Sequence, residues 1–201
     1  IVTGSSRGLG RAIALEYGRE GATVVACARP ASPTQLPGTV AETAQAILDQ
    51  GGESLAIACD VSDEVQVKSM VQQVVDRYGK VDVLVNNAGT NRPKPVTEVT
   101  EEDYDAVLNL NVKSAYFVAQ SCIQRMIEGG IKGSLIHIGS QMGHVGGVNR
   151  SLYCASKWAL EGMNKAMALD LAPHGIRTNT IAPTFIETPL TKPFFEDKAF
   201  L

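Results

Sequence analysis

The chain has 201 residues, of which 44% are hydrophobic, and its 18 Lys and Arg against 21 Asp and Glu give a formal net charge of −3. These values are typical of one globular domain with a sizeable core, and no basic stripe of the kind found in nucleic-acid binders is present. Because no apolar run reaches the roughly 18 to 20 residues of a membrane span, we expect neither a nucleic acid nor a membrane as partner.

Short apolar runs alternate along the chain with stretches of helical periodicity. The strands are predicted at 22–28, 54–60, 81–87, 133–139 and 176–182, and the helices at 9–20, 39–51, 62–78, 101–128 and 151–172. Several strands are apolar nearly throughout, as in a parallel sheet covered on both faces. The alternation predicts an α/β protein, a doubly wound parallel sheet of Rossmann type, with residues 1–201 as a single domain. The opening "IVTG" predicts a sheet that lacks the start of its first strand, and we also expect its final strand to be missing.

The four cysteines are dispersed, with no CxxC motif and no nearby pair of histidines. Cys27, Cys59, Cys122 and Cys154 therefore predict free thiols and no metal site. Free thiols are typical of a reducing compartment, so we expect a cytoplasmic protein.

A glycine-rich segment, "TGSSRGLG" at 3–10, connects the first strand to the first helix. Glycines allow close approach of the backbone to a ligand, and the amides and dipole of a helix start favour a phosphate. The spacing alone also fits a plain tight turn, but the first βα unit is where doubly wound folds bind dinucleotides. The residues expected to bind the cofactor here are Gly4, Ser6, Arg7, Gly8, Leu9 and Gly10.

The end of the second strand bears on the choice of cofactor. Sites that prefer NAD place an acid there to bind the ribose 2′-hydroxyl, but this strand ends in Ala28, and Arg29 follows. A guanidinium binds a 2′-phosphate, and Arg7 could add a second positive charge. We therefore expect NADP(H) to be favoured over NAD(H), although two solvated loop arginines would give the same sequence.

With "TGSSRGLG" at 3–10, "NNAG" at 86–89 and "YCASK" at 153–157, the chain resembles the short-chain dehydrogenase/reductase family over essentially its whole length. The resemblance implies a catalytic set of Asn111, Ser140, Tyr153 and Lys157. It also implies cofactor contacts from Tyr153 and Lys157 and from Asp60, Val61, Asn87, Ala88, Gly89, Pro183, Ile186 and Thr188. The family usually has Pro-Gly where this chain has Pro183-Thr184, which predicts a different loop geometry.

Tyr153 and Lys157 lie one helical turn apart, a spacing that taken alone also fits an ordinary surface pair. A positive charge about 5 Å from the phenol contributes on the order of 3 kcal/mol at an effective dielectric near 20. We therefore expect Lys157 to lower the pKa of Tyr153 by roughly two units, less the effect of desolvation. The resemblance implies that Ser140 and Tyr153 bind the substrate oxygen, Tyr153 passes the proton, Lys157 holds the ribose hydroxyls and Asn111 positions a relay water.

The expected function is hydride transfer between NADP(H) or NAD(H) and a secondary alcohol or ketone. Gln141, next to Ser140, and the nearby His144 and Asn149 suit a hydroxylated small molecule such as a sugar or polyol, although loop solvation explains them equally well. One alternative is reduction of a 3-oxoacyl thioester on acyl-carrier protein, for which His174 stands where such enzymes tend to carry an arginine. Another is an inactive dinucleotide-binding sensor, which usually loses the tyrosine or lysine.

The last residues and the long helices carry two further expectations. Residues 188–201 resemble the lid that closes over substrate in relatives, with a fraying terminus as the alternative. The resemblance also implies a homo-oligomer, a dimer or tetramer formed through the helices predicted at 101–128 and 151–172.

Overall fold

The computed structural model describes residues 1–30, 37–188, 191–192 and 195. Its strands are β1 (Val2–Thr3), β2 (Val24–Ala28), β3 (Ser54–Ala58), β4 (Val83–Asn86), β5 (Ser134–Ile138) and β6 (Arg177–Ile181). They form one sheet in the order β3-β2-β1-β4-β5-β6, and every neighbouring pair is parallel. The expected doubly wound parallel sheet in one domain is confirmed.

The helices fall within a few residues of the predicted ranges. They are α1 (Gly8–Arg19), α2 (Val40–Leu48), α3 (Glu64–Tyr78), α4 (Glu101–Leu108), α5 (Ala115–Glu128) and α6 (Ser151–Leu171). Thr39 and Thr100 begin α2 and α4 with capping boxes, and Asp63 caps α3 through its carboxylate. These caps satisfy backbone amides that a helix start leaves without partners.

The prediction of one continuous α-helix at 101–128 is wrong in the middle of that range. A π-helical turn, Asn109–Ser114, separates α4 from α5. The Ser114 hydroxyl donates to the Leu110 carbonyl inside this turn, and a side chain that bonds the backbone in this way disturbs the regular helical ladder. Such turns are frequent at functional sites, and this one contains Asn111.

Apolar side chains cover both faces of the sheet, as the strand composition predicted. On one face α3, α5 and α6 pack through residues such as Met70, Met126 and Leu171, and on the other α1 and α2 pack through Ala14 and Ile47. The strand order reverses between β1 and β4. In open parallel sheets the crevice at such a reversal, at the carboxyl ends of the strands, is where ligands bind.

Candidate active site

The glycine turn between β1 and α1 is shaped by close backbone packing. A Cβ added to Gly10 would lie 2.4 Å from both the Asn87 amide nitrogen and the Gly4 carbonyl oxygen, and Gly4 has φ +66°. The first backbone bond of α1 runs from Arg11 N to Arg7 O, and no side chain caps the helix start. The amides of the first turn therefore have no partner within the helix, which fits the pyrophosphate of a dinucleotide.

Thr3 and Asn87 hold this turn against the end of β4. The Thr3 hydroxyl accepts from the amides of Asn87 (3.0 Å) and Ala88 (3.1 Å), and the Asn87 side-chain amide donates to the Thr3 carbonyl at 2.8 Å. The side-chain amide of Asn87 thus holds the turn in place, and the contact of Asn87 with the cofactor stays a prediction. Sequence reasoning missed Thr3, because nothing local indicates a contact with residues more than 80 positions away.

The side chains expected near the adenosine end lie after β2 and β3. Thr3 pairs with Cys27 in the sheet, which brings the end of β2 and the exposed Arg29 beside the glycine turn. Arg7 in the turn donates to the Gly38 carbonyl at 3.4 Å. After β3, the Asp60 carboxylate accepts from the Ser62 amide at 2.9 Å. The neighbouring Val61 is buried.

Ser140, Tyr153 and Lys157 converge at the carboxyl end of β5. Ser140 follows β5 with its hydroxyl accepting from the Met142 amide at 3.1 Å, and Tyr153 lies in the first turn of α6. The buried Lys157 ammonium donates to the Ile138 carbonyl at 2.7 Å and lies 5.5 Å from the centroid of the Tyr153 ring. The Ser140 side chain lies close enough to the Tyr153 phenol to lower the pKa of Tyr153.

The expectation that Lys157 lowers the pKa of Tyr153 is wrong for this structure. Burial raises the pKa of Tyr153, and only the Ser140 side chain and the charge of Arg150 act in the opposite direction. Burial also lowers the pKa of Lys157 itself, to about 8. In both cases the loss of solvent disfavours the charged form of the side chain and has the largest effect.

Asn111, on the π-turn, joins two segments of the site. Its carbonyl oxygen accepts from the Thr90 amide at 2.8 Å, and its amide donates to the Thr90 carbonyl (2.9 Å) and the Ser156 hydroxyl (3.0 Å). Ser156 in turn donates to the Tyr153 carbonyl at 2.8 Å. Ser156 is fully buried, and although it stands within the "YCASK" motif, sequence reasoning gave it no role.

Two polar side chains lie beneath Lys157 in the centre of the sheet. Asn86 donates to the Ala115 carbonyl at 2.9 Å and lies 3.3 Å from Nδ1 of His137. Burial, followed by the charge of Lys157, lowers the pKa of His137 to about 4, so this imidazole is neutral at physiological pH. Polar residues inside otherwise apolar strands were the sequence signal for this pair, and it was not recognised.

The segment after β6 returns to the site. The Pro183 carbonyl accepts from the Gln141 amide at 2.9 Å. Thr188 lies next to Gly8, because a Cβ added to Gly8 would be 3.7 Å from the Cβ of Thr188. Among the described residues Asn149 is the one non-glycine with positive φ, so Thr184 adopts no left-handed conformation and the glycine usual in the family is not required there. Ile186 is exposed.

Most of the predicted lid, 188–201, lies outside the described residues. Within the described part, the Thr188 carbonyl accepts from the amides of Thr191 and Lys192. No group of three or more metal-binding side chains is found in the part of the chain that the structure describes. In the same part, every helix is too short or too polar to cross a membrane.

Comparison with known proteins agrees with this geometry. Residues 1–199 match the sequence profile of the family described as short chain dehydrogenase. The chain is 39% identical to the 3-oxoacyl-(acyl-carrier-protein) reductase of Thermotoga maritima, covering 96% of this chain and 75% of the relative. It is 37% identical to the sorbitol dehydrogenase of Cereibacter sphaeroides, covering 93% and 70%. A crystal structure of a short-chain type dehydrogenase/reductase from Mycobacterium marinum superposes with a TM-score of 0.90 at 34% identity, covering 98% and 76%.

The chain therefore belongs to the short-chain dehydrogenase/reductase family. Members of this family are NAD(P)-dependent oxidoreductases that act on alcohol and ketone groups, and this chain is such an enzyme.

The lowered pKa of Lys157 predicts a specific pH dependence of stability. The folded pKa, about 8, lies below the usual 10.5, so between these values the unfolded chain binds a proton that the folded chain does not. The free energy of unfolding contributed by this group therefore rises with pH, by up to about 3 kcal/mol across that window. Urea unfolding between the two pH values should show this rise in the wild type and not in Lys157→Met.

The matched control is Lys165→Met, which removes an exposed lysine two turns further along α6 and should keep the wild-type slope. If the free energy of unfolding changed with pH equally in the wild type and Lys157→Met, Lys157 would have an ordinary pKa. That result would contradict its burial as a charged group.

Proposed function

We propose that this enzyme interconverts a secondary alcohol and a ketone with Tyr153 as the proton-transferring group and Ser140 beside it on the substrate oxygen. The observation that carries the proposal is that Ser140, Tyr153 and the buried Lys157 ammonium converge at the carboxyl end of β5, with the ammonium bonded to the Ile138 carbonyl and 5.5 Å from the centroid of the Tyr153 ring. The nicotinamide cofactor, when bound, supplies or accepts the hydride. The glycine turn leads into the start of α1, where no side chain caps the helix, and this fits the diphosphate of that cofactor.

Each side chain has one proposed task. Ser140 binds and orients the substrate oxygen, and Tyr153 gives or takes its proton. The ammonium of Lys157 has three N–H donors, and one of them bonds the Ile138 carbonyl. The other two can donate to ribose hydroxyls, while the ammonium places a positive charge near the phenol. Because burial raises the pKa of Tyr153, proton transfer near neutral pH depends on the groups that lower this pKa, first Ser140 and then the charge of Arg150.

The proposed task of Asn111 is narrower than the resemblance implied. Both amide hydrogens are already used, on Thr90 and Ser156, so a relay water can bond only to the side-chain oxygen or to the backbone. We assign Asn111 the role of a positioning residue that holds the π-turn against α6.

For the cofactor we propose NADP(H) over NAD(H). Arg29 is exposed directly after β2, beside the glycine turn, and Arg7 lies in the turn itself. No acidic residue ends β2 to repel a 2′-phosphate.

For the substrate we propose a small hydroxylated molecule such as a sugar or polyol. The exposed polar residues His144 and Asn149 follow Ser140, and one of the similar proteins is a sorbitol dehydrogenase. The second candidate is a 3-oxoacyl thioester, favoured by the similarity to an acyl-carrier-protein reductase.

We further propose a homo-oligomer located in the cytoplasm. Trp158 and Leu169 of α6 are 55% and 78% exposed, and Tyr104 of α4 and Tyr116 of α5 are also exposed, which gives the two helical segments apolar surface to bury against a second copy. The four free cysteines suit a reducing compartment.

Removing the phenol tests the catalytic assignment. Tyr153→Phe keeps the ring and its packing but cannot transfer a proton, so we expect kcat to fall by about 100- to 10,000-fold with cofactor affinity retained. Tyr78→Phe, which removes a hydroxyl at the end of α3, is the matched control and should keep full activity. Unchanged turnover by Tyr153→Phe would refute the mechanism, and absence of any turnover in the wild type would favour a binding protein without catalysis.

Reversing the charge after β2 tests the cofactor proposal. Arg29→Asp should lower kcat/KM for NADPH by about 10- to 100-fold, the effect of one charge-assisted hydrogen bond, and should raise it for NADH. Arg19→Asp, a similar change at the far end of α1, should leave the ratio unchanged. A wild type that prefers NADH, or a ratio insensitive to Arg29→Asp, would contradict the proposal.

A substrate panel separates the two candidate substrates. Sugars and polyols, sorbitol included, are assayed for oxidation with NADP+, and acetoacetyl thioesters for reduction with NADPH. We expect the higher kcat/KM with a member of the first group. Efficient turnover of the thioesters alone would establish the second candidate instead.

A further inference from the structure

Glu161 is a buried carboxylate that the proposed mechanism does not use. It lies on α6 one turn after Lys157, and only 7% of the residue is exposed. One carboxylate oxygen, Oε2, accepts from the Thr180 hydroxyl of β6 at 2.9 Å. The other, Oε1, is buried and has no hydrogen-bond donor in the part of the chain that the structure describes.

A polar group from the segment that carries Ser140 lies near Oε1. Nε2 of His144 lies 3.5 Å from Oε1, an ion-pair distance without the geometry of a hydrogen bond. The glycines of this segment fit closely against α6: a Cβ on Gly139 would lie 3.1 Å from Oε1, and one on Gly143 would lie 3.2 Å from Cγ of Glu161. Residues 139–144 therefore rest directly on the Glu161 side chain.

Glu161 consequently touches three segments that form the site. It is on the helix of Tyr153 and Lys157, it supports the Ser140 segment, and through Thr180 it is bonded to β6, which leads to Pro183 and Thr188. A buried carboxylate with so few partners is expensive for a fold, and an apolar residue of similar size would commonly be as stable or more stable. Stability alone therefore does not explain a carboxylate at this position.

We propose that Glu161 is a positioning residue for the reaction, setting the distance between the Ser140 segment and α6 and hence the contact of Ser140 with Tyr153. The proposal rests on the proposed function of Ser140 and Tyr153. It differs from a role in folding because it predicts loss of turnover without loss of stability.

The test replaces the carboxylate by an apolar side chain of similar volume. Glu161→Leu, assayed with NADP+ and the panel alcohol of highest turnover, should lower kcat by about 10- to 100-fold. KM for NADP+ should change little, because the glycine turn is distant from Glu161. Urea unfolding should show stability equal to or greater than that of the wild type.

The pH profile gives a readout that a merely structural role would not change. Ser140 lowers the pKa of Tyr153, so a displaced Ser140 should move the pKa of this group in the kcat/KM profile upward. Glu161→Gln, which can still accept from Thr180, should recover part of both kcat and the profile.

Asn164→Leu is the matched control. Asn164 lies one turn further along α6 and accepts from the Thr178 hydroxyl of β6 at 2.6 Å, an equivalent contact between α6 and β6. This bond joins α6 to β6 and does not involve the Ser140 segment, so replacing Asn164 should leave kcat and the pH profile unchanged. Thr180→Val removes the hydroxyl that donates to Glu161 and should reproduce part of the Glu161→Leu effect. It provides the test if Glu161→Leu folds poorly.

Wild-type kcat and an unchanged pH profile in Glu161→Leu, or in Thr180→Val should the former not fold, would overturn the proposal. An equal loss in Asn164→Leu would also overturn it, since general packing of α6 on β6 would then be the cause. Failure of the proposed function looks different, because the wild type itself would then have no activity on any member of the panel.

Discussion

The buried ammonium of Lys157 is the constraint on which the site depends. It donates to the Ile138 carbonyl, two residues before Ser140, and so fixes α6 to the carboxyl end of β5. Because Tyr153 is one turn earlier on the same helix, this single bond also holds Tyr153 near the end of β5. Desolvation of the charge is unfavourable and lowers the pKa of Lys157 to about 8, and the fold accepts that cost at the point where the ammonium joins α6 to β5.

Two buried pairs of polar side chains lie near this lysine. His137 and Asn86 lie under the lysine in β5 and β4, and Asn111 and Ser156 join the π-turn to the first turns of α6. Each of these side chains is buried, and nearly all their hydrogen-bonding groups are used. Satisfied buried networks of this kind make a site rigid, and rigidity is what placing two hydroxyls on one substrate oxygen requires.

The main features of the fold follow from the sequence because they depend on local periodicity. Apolar runs such as 133–139 and the glycine turn at 3–10 indicated a parallel sheet and its ligand-binding end, and the structure agrees. The π-turn at Asn109–Ser114 could not be predicted, since hydrophobic periodicity does not reveal a hydroxyl bonded into the helical backbone. The pKa of Tyr153 was misjudged because a sequence gives the spacing of two charges but not the solvent they lose.

The side chains that support the site were missed for a related reason. Thr3, Ser156 and Glu161 act through partners distant in the chain, and each is an ordinary residue for its element. The catalytic set, by contrast, was predicted from resemblance to a family, and three of its members, Ser140, Tyr153 and Lys157, lie near the end of β5. Motifs identify groups that face the ligand, whereas the residues that hold those groups are visible only once the strands and helices are packed.

The most direct test is a crystal structure of the enzyme with NADP+ bound. The account predicts that Lys157 keeps its bond to Ile138 while donating to the ribose hydroxyls, and that the Tyr153 oxygen lies about 3 Å from the Ser140 hydroxyl and faces the nicotinamide ring. A structure in which NADP+ is bound but Lys157 points to solvent, or in which the phenol faces away from the ring, would contradict it.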